Sequence, residues 1–220
     1  MEAESQQSEP IPGQEQSRPE GDGSAGLMCV TLAALACAIA VAVLPKFLES
    51  AKGSLDPGLW LTFLGDLHPL VLHLPIGIFY LVFAMEICGL LSGGKWKPQT
   101  TFPLFLGTVS AVVAVICGNF LHLQGDYPDS KISNHLWGAT VFAVIAILTY
   151  LSKIWATHSG AKSPIYGILL TLSTGVLTFS AHAGGDLTHG DPFKPVVDHL
   201  RGATLIATEG EKKADAAPVK

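Results

Sequence analysis

The segment HPLVLHLPIGIFYLVFAMEICGLL, residues 68–91, decides the fold class. It contains 24 residues, of which Glu86 alone is an acid or a strong base. A helix needs about 20 apolar residues to cross the hydrocarbon core of a bilayer. Proline near the first helical turn, as at Pro69, removes no hydrogen bond. The segment therefore predicts a membrane-spanning helix that begins at two histidines, His68 and His73.

Four more apolar runs of similar length occur along the chain. They are LMCVTLAALACAIAVAVL (27–44), FPLFLGTVSAVVAVICGNFL (102–121), LWGATVFAVIAILTYLSKIW (136–155) and PIYGILLTLSTGVLTFSAHA (164–183). The chain is 49% hydrophobic and 14% charged, whereas soluble domains carry about 25% charged residues. The sequence predicts an all-α integral membrane protein with five transmembrane helices, an N-terminal anchor helix plus a four-helix bundle.

The composition divides the chain into four parts. Residues 1–26 are acidic and rich in Ser, Gln, Pro and Gly, which predicts a disordered tail. Residues 27–45 form the anchor, which ends at a proline and which we expect to be retained because its leader is long and acidic. Residues 58–193 form the four-helix membrane domain, and residues 194–220 form a polar C-terminal tail.

Lysines favour one orientation of the spans. Loops 92–101 and 152–163 carry four lysines and no acid. Short cytoplasmic loops are enriched in Lys and Arg. We therefore expect an inner-membrane protein with a cytoplasmic N-terminus and a periplasmic C-terminus.

Charge and cysteine content exclude several classes of function. Six of the 18 acids lie within residues 1–26 and account for the net charge of −5, so no basic surface indicates a nucleic-acid partner. The four cysteines lie in apolar runs, and CxxC and CxxCH are absent. This pattern excludes covalent c-type haem attachment. The sequence contains no nucleophile–base pair, and we expect no enzymatic activity.

Histidines concentrate at one end of the predicted bundle. Because successive spans alternate in direction, six of the eight histidines fall at the same, periplasmic, ends of four helices: His68, His73, His122, His135, His182 and His189. On a regular helix His68 and His73 point about 140° apart, so either the two rings serve different centres, or His68 belongs to the loop and only His73 faces the bundle interior. Gly184 and Gly185 predict the end of the fifth span, after which GGDLTHGD would fold back.

Imidazole is a ligand of haem iron and of copper, iron or zinc ions. We predict a non-covalent b-type haem for electron transfer, with His73, His135 and His182 as the preferred ligands, followed by His68 and His189. Asp186, Asp191 and His122 would support the ligands from outside. One alternative is a copper, iron or zinc ion held by His73, His135 and His182 for binding or transport. The other is a structural anchor subunit in which the histidines only cap helices.

Three motifs resemble a bacterial predicted membrane domain of unknown function with four helices. They are LGDLHPLVLHLPIG, HLWG and HAGGDLTHGD, which carry His68 and His73, His135, and His182 and His189. Tyr127 is similar to the tyrosine of a further loop motif of this family. The family often precedes c-type cytochrome modules, which implies electron transfer. No CxxCH follows Phe193, so the resemblance implies that the redox partner is a separate c-type cytochrome or a quinone.

Overall fold

A computed structural model describes residues 22–51, 58–125, 129–160, 163–190, 197–199 and 201. Its principal elements are helices, and the described residues contain no strand. The helices are α1 (Asp22–Ala51), α2 (Gly58–Asp66), α3 (His68–Val71), α4 (His73–Leu91), α5 (Thr101–Gln124), α6 (Asp129–Ser159) and α7 (Pro164–His189). Residues 1–21 of the predicted disordered tail and most of the C-terminal tail lie outside the described residues.

Five helical segments are long and apolar enough to cross a bilayer, which confirms the predicted fold class. They cover residues 24–50, 58–91, 101–124, 132–159 and 164–189. The second combines α2, α3 and α4, so the span begins at Gly58 and not at His68. Each segment extends beyond its apolar run, because backbone hydrogen bonds continue into the polar residues at the ends.

Two prolines divide the second span into three helices. Leu67 and Leu72 interrupt the helix as single turn residues with near-helical φ and ψ. Proline has no N–H to donate and its ring crowds the preceding turn, and Pro69 and Pro75 follow these turns by two and three residues. The chain nevertheless continues in one general direction, because Leu72 N–H donates to His68 O at 3.0 Å.

Successive helices of the bundle run antiparallel. On α5 Gly107 lies against Phe79 and Gly118 against His68, so residue numbers rise on α5 as they fall on the second span. Between α5 and α6 the Thr108 hydroxyl donates to Ala146 O at 3.4 Å, and Phe105 contacts Tyr150, which shows the same reversal. We call the end where α3 and α6 begin their spans, and where α5 and α7 finish theirs, the histidine end. It contains His68 and His135.

The anchor helix α1 packs against α5 and α6. Trp155 Nε1 donates to Thr31 Oγ1 at 3.0 Å near one end of α1, and Lys46 Nζ lies 6.0 Å from the centre of the Trp137 ring near the other. The helix starts at Asp22, within the predicted tail, and continues past Pro45, where the sequence predicted its end. A proline inside a membrane helix is tolerated when local adjustments satisfy the freed carbonyl.

The core of the bundle forms around two aromatic rings. Phe79 on α4 is fully buried and meets Phe142 on α6 edge to face, with ring centres 4.9 Å apart. Val82, Leu104 and Ala143 are also fully buried in this cluster. Inside a bilayer helices associate mainly through such packing, so this layer fixes the rotation of α4 relative to α6.

Phe79→Ala is expected to destabilise the bundle by about 3–5 kcal/mol, because it leaves a cavity that the rigid helices cannot close. The measurement is loss of helical circular dichroism during SDS titration of the protein in mixed micelles. Phe179→Ala is the matched control, since Phe179 is 57% exposed on the outer surface of the bundle. Equal losses for both variants would show that Phe79 is not part of the core.

Candidate functional site

Two histidine rings meet inside the histidine end of the bundle. His68 on α3 and His135 on α6 have ring centres 6.0 Å apart and ring planes inclined by 71°. Both residues are half-buried. We call them the imidazole pair. His68 and His135 are 67 positions apart in the chain. The antiparallel order of the helices brings their rings to the same level of the bundle.

Each ring of the imidazole pair is anchored to a neighbouring helix. His68 Nδ1 lies 2.9 Å from Ala114 O on α5, and His135 Nδ1 lies 2.9 Å from Ser180 O on α7. A carbonyl oxygen only accepts hydrogen bonds, so Nδ1–H is the donor in both rings. A neutral ring protonated at Nδ1 keeps a lone pair on Nε2. The pair therefore offers two nitrogen ligands, each held by a second contact of the kind that orients metal-bound histidine.

The second span presents His68, not His73, to the bundle. His73 is exposed, and its Nδ1 lies 2.6 Å from Pro69 O within its own helical segment. The expectation that His73 faces the interior of the bundle is therefore wrong. Its premise, that the two rings point in different directions, agrees with the structure. The contacts of Phe79 with Phe142 and of His68 with Gly118 give the span the rotation that brings His68 into the bundle.

The predicted end of the fifth span at Gly184 and Gly185 is also wrong. Helix α7 continues to His189 and stops at Gly190, whose φ is +73°. Gly184 lies against the His135 ring: a Cβ there would approach His135 Cε1 to 2.7 Å. The glycine is thus explained by close packing rather than by helix termination.

The remaining candidates on α7 lie near the surface of the histidine end. The His182 side chain is 52% exposed, and its Nε2 lies 3.9 Å from Asp186 Oδ2. Asp186 Oδ1 is buried and has no hydrogen-bond partner among the described residues. His189 is exposed as the last residue of α7. His182 therefore faces a carboxylate of its own helix, one turn further along.

Three other residues bear on the sequence prediction. His122 is half-buried in the last turn of α5. Asp191 and Tyr127 lie outside the described residues. The described part of the chain contains no group of three or more His, Cys, Asp or Glu side chains that could hold a metal ion. The expected set of His73, His135 and His182 does not converge on one point.

The opposite end of the bundle contains a polar cluster around Glu86. Its Oε1 accepts hydrogen bonds from Lys153 Nζ at 2.8 Å, from the Tyr166 hydroxyl at 2.7 Å and from the Thr100 hydroxyl. Lys153 Nζ also lies 4.4 Å from the centre of the Tyr166 ring. These groups come from α4, α6, α7 and the segment before α5. Glu86 lies 18 residues from His68, about 27 Å along a helix, so this cluster is separate from the imidazole pair.

Sequence reasoning missed the residues that hold the imidazole pair. Ala114 and Ser180 act through their backbone carbonyls, which every residue type has. Gly118 and Gly184 lie against the two rings, but glycine is common in membrane helices. The spacing that a sequence could reveal is that from histidine to glycine, which is 50 positions from His68 to Gly118 and 49 positions from His135 to Gly184.

Comparisons with known proteins identify the family. A family model described as Predicted membrane protein (DUF2231) matches residues 65–191, more than half of the chain. The match covers His68, His135 and His182, and it confirms the resemblance to a membrane domain of unknown function. Curated proteins gave no match, and solved structures gave none. The chain therefore belongs to the DUF2231 family of predicted membrane proteins.

Proposed function

We propose that this membrane protein is an electron carrier that binds one b-type haem through His68 and His135. The observation that supports the proposal is the imidazole pair, with both Nδ1 atoms anchored and ring centres 6.0 Å apart. A metal–nitrogen bond of about 2 Å on each side of one metal places two ring centres about 6 Å apart. The separation of the two rings is therefore close to the value expected if His68 and His135 held one iron through their Nε2 atoms.

The number of ligands favours haem over a bare ion. Zinc and similar ions take three or four protein ligands, and the described residues contain no such group. Haem iron takes four nitrogens from the macrocycle, so two histidines complete its coordination. Within the described part of the chain, two anchored imidazoles therefore fit haem better than copper, iron or zinc ions.

The chain's own residues prepare the two ligands. The Ala114 and Ser180 carbonyls hold Nδ1–H and leave Nε2 unprotonated, so no proton has to leave before ligation. The same hydrogen bonds increase the basicity of the ligands. Bound haem would supply a one-electron couple between ferric and ferrous iron. Two histidine ligands would leave the iron no open position for a substrate, which favours electron transfer over ligand exchange or catalysis.

The site's position indicates the partners. The imidazole pair lies at the histidine end of the bundle. With the N-terminus in the cytoplasm, this end faces the periplasm of the inner membrane. A separate c-type cytochrome would exchange electrons at that surface, and a quinone would do so from within the bilayer.

The test is a dithionite-reduced minus oxidised absorbance spectrum of the full chain purified in mild detergent, with metal analysis of the same sample. We expect the sharp bands of six-coordinate low-spin haem, a pyridine haemochrome of the b type and one iron per chain. A flat spectrum from a sample prepared with haem supplied during expression would refute the proposal. Zinc or copper at one per chain would instead support ion binding, and no metal would leave a structural anchor.

A further inference from the structure

The two halves of the membrane domain anchor their histidines in the same way. In the first half the ring on α3 meets a carbonyl on α5, and in the second the ring on α6 meets a carbonyl on α7. Both Nδ1–O distances are 2.9 Å, and the bonded residues are 46 and 45 positions apart. Each half is one helical hairpin with a histidine on its first arm and the accepting carbonyl on its second.

A glycine follows each accepting carbonyl by four residues, which is about one helical turn. Gly118 follows Ala114, and a Cβ at Gly118 would lie 2.9 Å from His68 Cε1 and 3.0 Å from His68 Nδ1. Gly184 follows Ser180, and a Cβ there would lie 2.7 Å from His135 Cε1 and 2.8 Å from His135 Nδ1. Each ring therefore occupies the space that any other residue's side chain would fill.

Other glycines in the same bundle do not have this role. A Cβ placed on Gly185, the neighbour of Gly184, would meet no neighbouring atom within 4 Å, and the same is true of Gly175 on α7 and Gly77 on α4. Among the glycines that the structure describes, Gly118 and Gly184 are the two at which an added Cβ would come closest to a histidine ring. Both stand one turn beyond an accepting carbonyl.

We infer that Gly118 and Gly184 are the positioning residues of the imidazole pair, in a unit that the two hairpins repeat. Each glycine lets a ring approach the helix backbone closely enough for Nδ1–H to reach the carbonyl one turn earlier. That hydrogen bond selects the tautomer and leaves Nε2 for a ligand. That Nε2 would bind iron rests on the proposed function, whereas the position and the tautomer of the two rings do not depend on it.

A methyl group added at either glycine would clash with the neighbouring histidine ring. An imidazole ring is rigid, and the distances from the added carbon to two of its atoms fall below normal van der Waals contact. The ring must leave its carbonyl or the two helices must separate. Because each glycine contacts a different ring, Gly184→Ala is expected to disturb His135, and Gly118→Ala is expected to disturb His68.

The test compares Gly184→Ala with Gly185→Ala in the full chain, with Gly118→Ala as the counterpart in the first hairpin. Nitrogen-15 NMR of histidine-labelled protein reports the tautomer of each ring, whether or not haem is present. The wild type is expected to show Nδ1–H locked against exchange in His68 and His135, whereas the Nδ1–H of His73, which bonds Pro69 O on an exposed side chain, exchanges with solvent. Gly184→Ala should lose the locked signal of His135 and Gly118→Ala that of His68, while Gly185→Ala retains both.

A second measurement keeps the inference testable if Gly184→Ala folds poorly. In a His135→Ala background the ring that the new methyl group would meet is absent. Gly184→Ala should therefore lower the unfolding midpoint in the wild type and leave it unchanged in His135→Ala. Equal losses in both backgrounds, or a locked His135 signal in Gly184→Ala, would overturn the inference. Locked tautomers in a wild type that shows no haem spectrum would support it and would refute the proposed function alone.

Discussion

His68→Ala and His135→Ala are each expected to remove the reduced-minus-oxidised haem spectrum, with haem content falling to less than about a tenth of wild type. Each substitution removes one of the two nitrogens that the anchored pair provides. A haem held by both histidines would lose one of its two protein ligands in either variant. The two variants should have effects of equal size, because the two hairpins hold their rings by the same contacts.

Histidines outside the pair supply the controls. His73→Ala removes an exposed ring on the same span whose Nδ1 already bonds Pro69 O, and it should retain the spectrum. His158→Ala, in the last turn of α6 at the other end of the bundle, should also retain it.

Added imidazole provides a further check on the ligand assignment. Free imidazole can occupy the space vacated in His135→Ala and restore a low-spin spectrum, but it should not alter His73→Ala. Loss of haem in His73→Ala together with a normal spectrum in His68→Ala would show that the imidazole pair is not the ligand set.

Glu86→Leu is expected to destabilise the bundle by about 3 kcal/mol. It removes the oxygen that accepts hydrogen bonds from three side chains and leaves the Lys153 ammonium without its counter-ion. An unpaired charge inside a protein costs about 3–5 kcal/mol. The lower figure applies here, because the Glu86 and Lys153 side chains are 22% and 17% exposed. The midpoint of SDS-induced unfolding measures the change.

A double variant separates the lost ion pair from lost packing. Glu86→Leu with Lys153→Leu removes both charges, and replacing an ion pair by apolar side chains is often close to neutral. The double variant should therefore be more stable than Glu86→Leu alone. Lys153→Leu alone completes the comparison. If the double variant loses as much stability as the two single variants together, the ion pair makes no contribution to the stability of this end. Neither variant should change the haem spectrum, since Glu86 lies about 27 Å along the helix from His68.

The number of spans could be predicted from the sequence because it depends on local properties. An apolar run of about 20 residues has to form a helix in a bilayer, where each backbone polar group needs a partner within the segment. The alternation of spans then placed His68, His122, His135 and His182 toward one end. Helix ends were less predictable: α7 continues through Gly184 and Gly185, because a contact with His135 on another helix explains Gly184.

The identity of the paired histidines depended on tertiary structure. His68 and His73 are five residues apart, which places them on different sides of a helix. We chose His73 as the ring that faces the interior, and that choice was wrong because a sequence does not reveal the rotation of a span about its axis. That rotation follows from packing between helices, at Phe79 against Phe142 and at Gly118 against His68.

The sequence by itself determined a five-span helical membrane protein with histidines gathered at one end, because hydrophobic length and alternating direction are properties of the chain. Only the tertiary structure decided that His68 meets His135 and that Ala114 and Ser180 anchor them. The physical reason is that the rotation and the approach of neighbouring helices set the direction of a side chain and its backbone partners. Both depend on contacts between residues that are far apart in the chain.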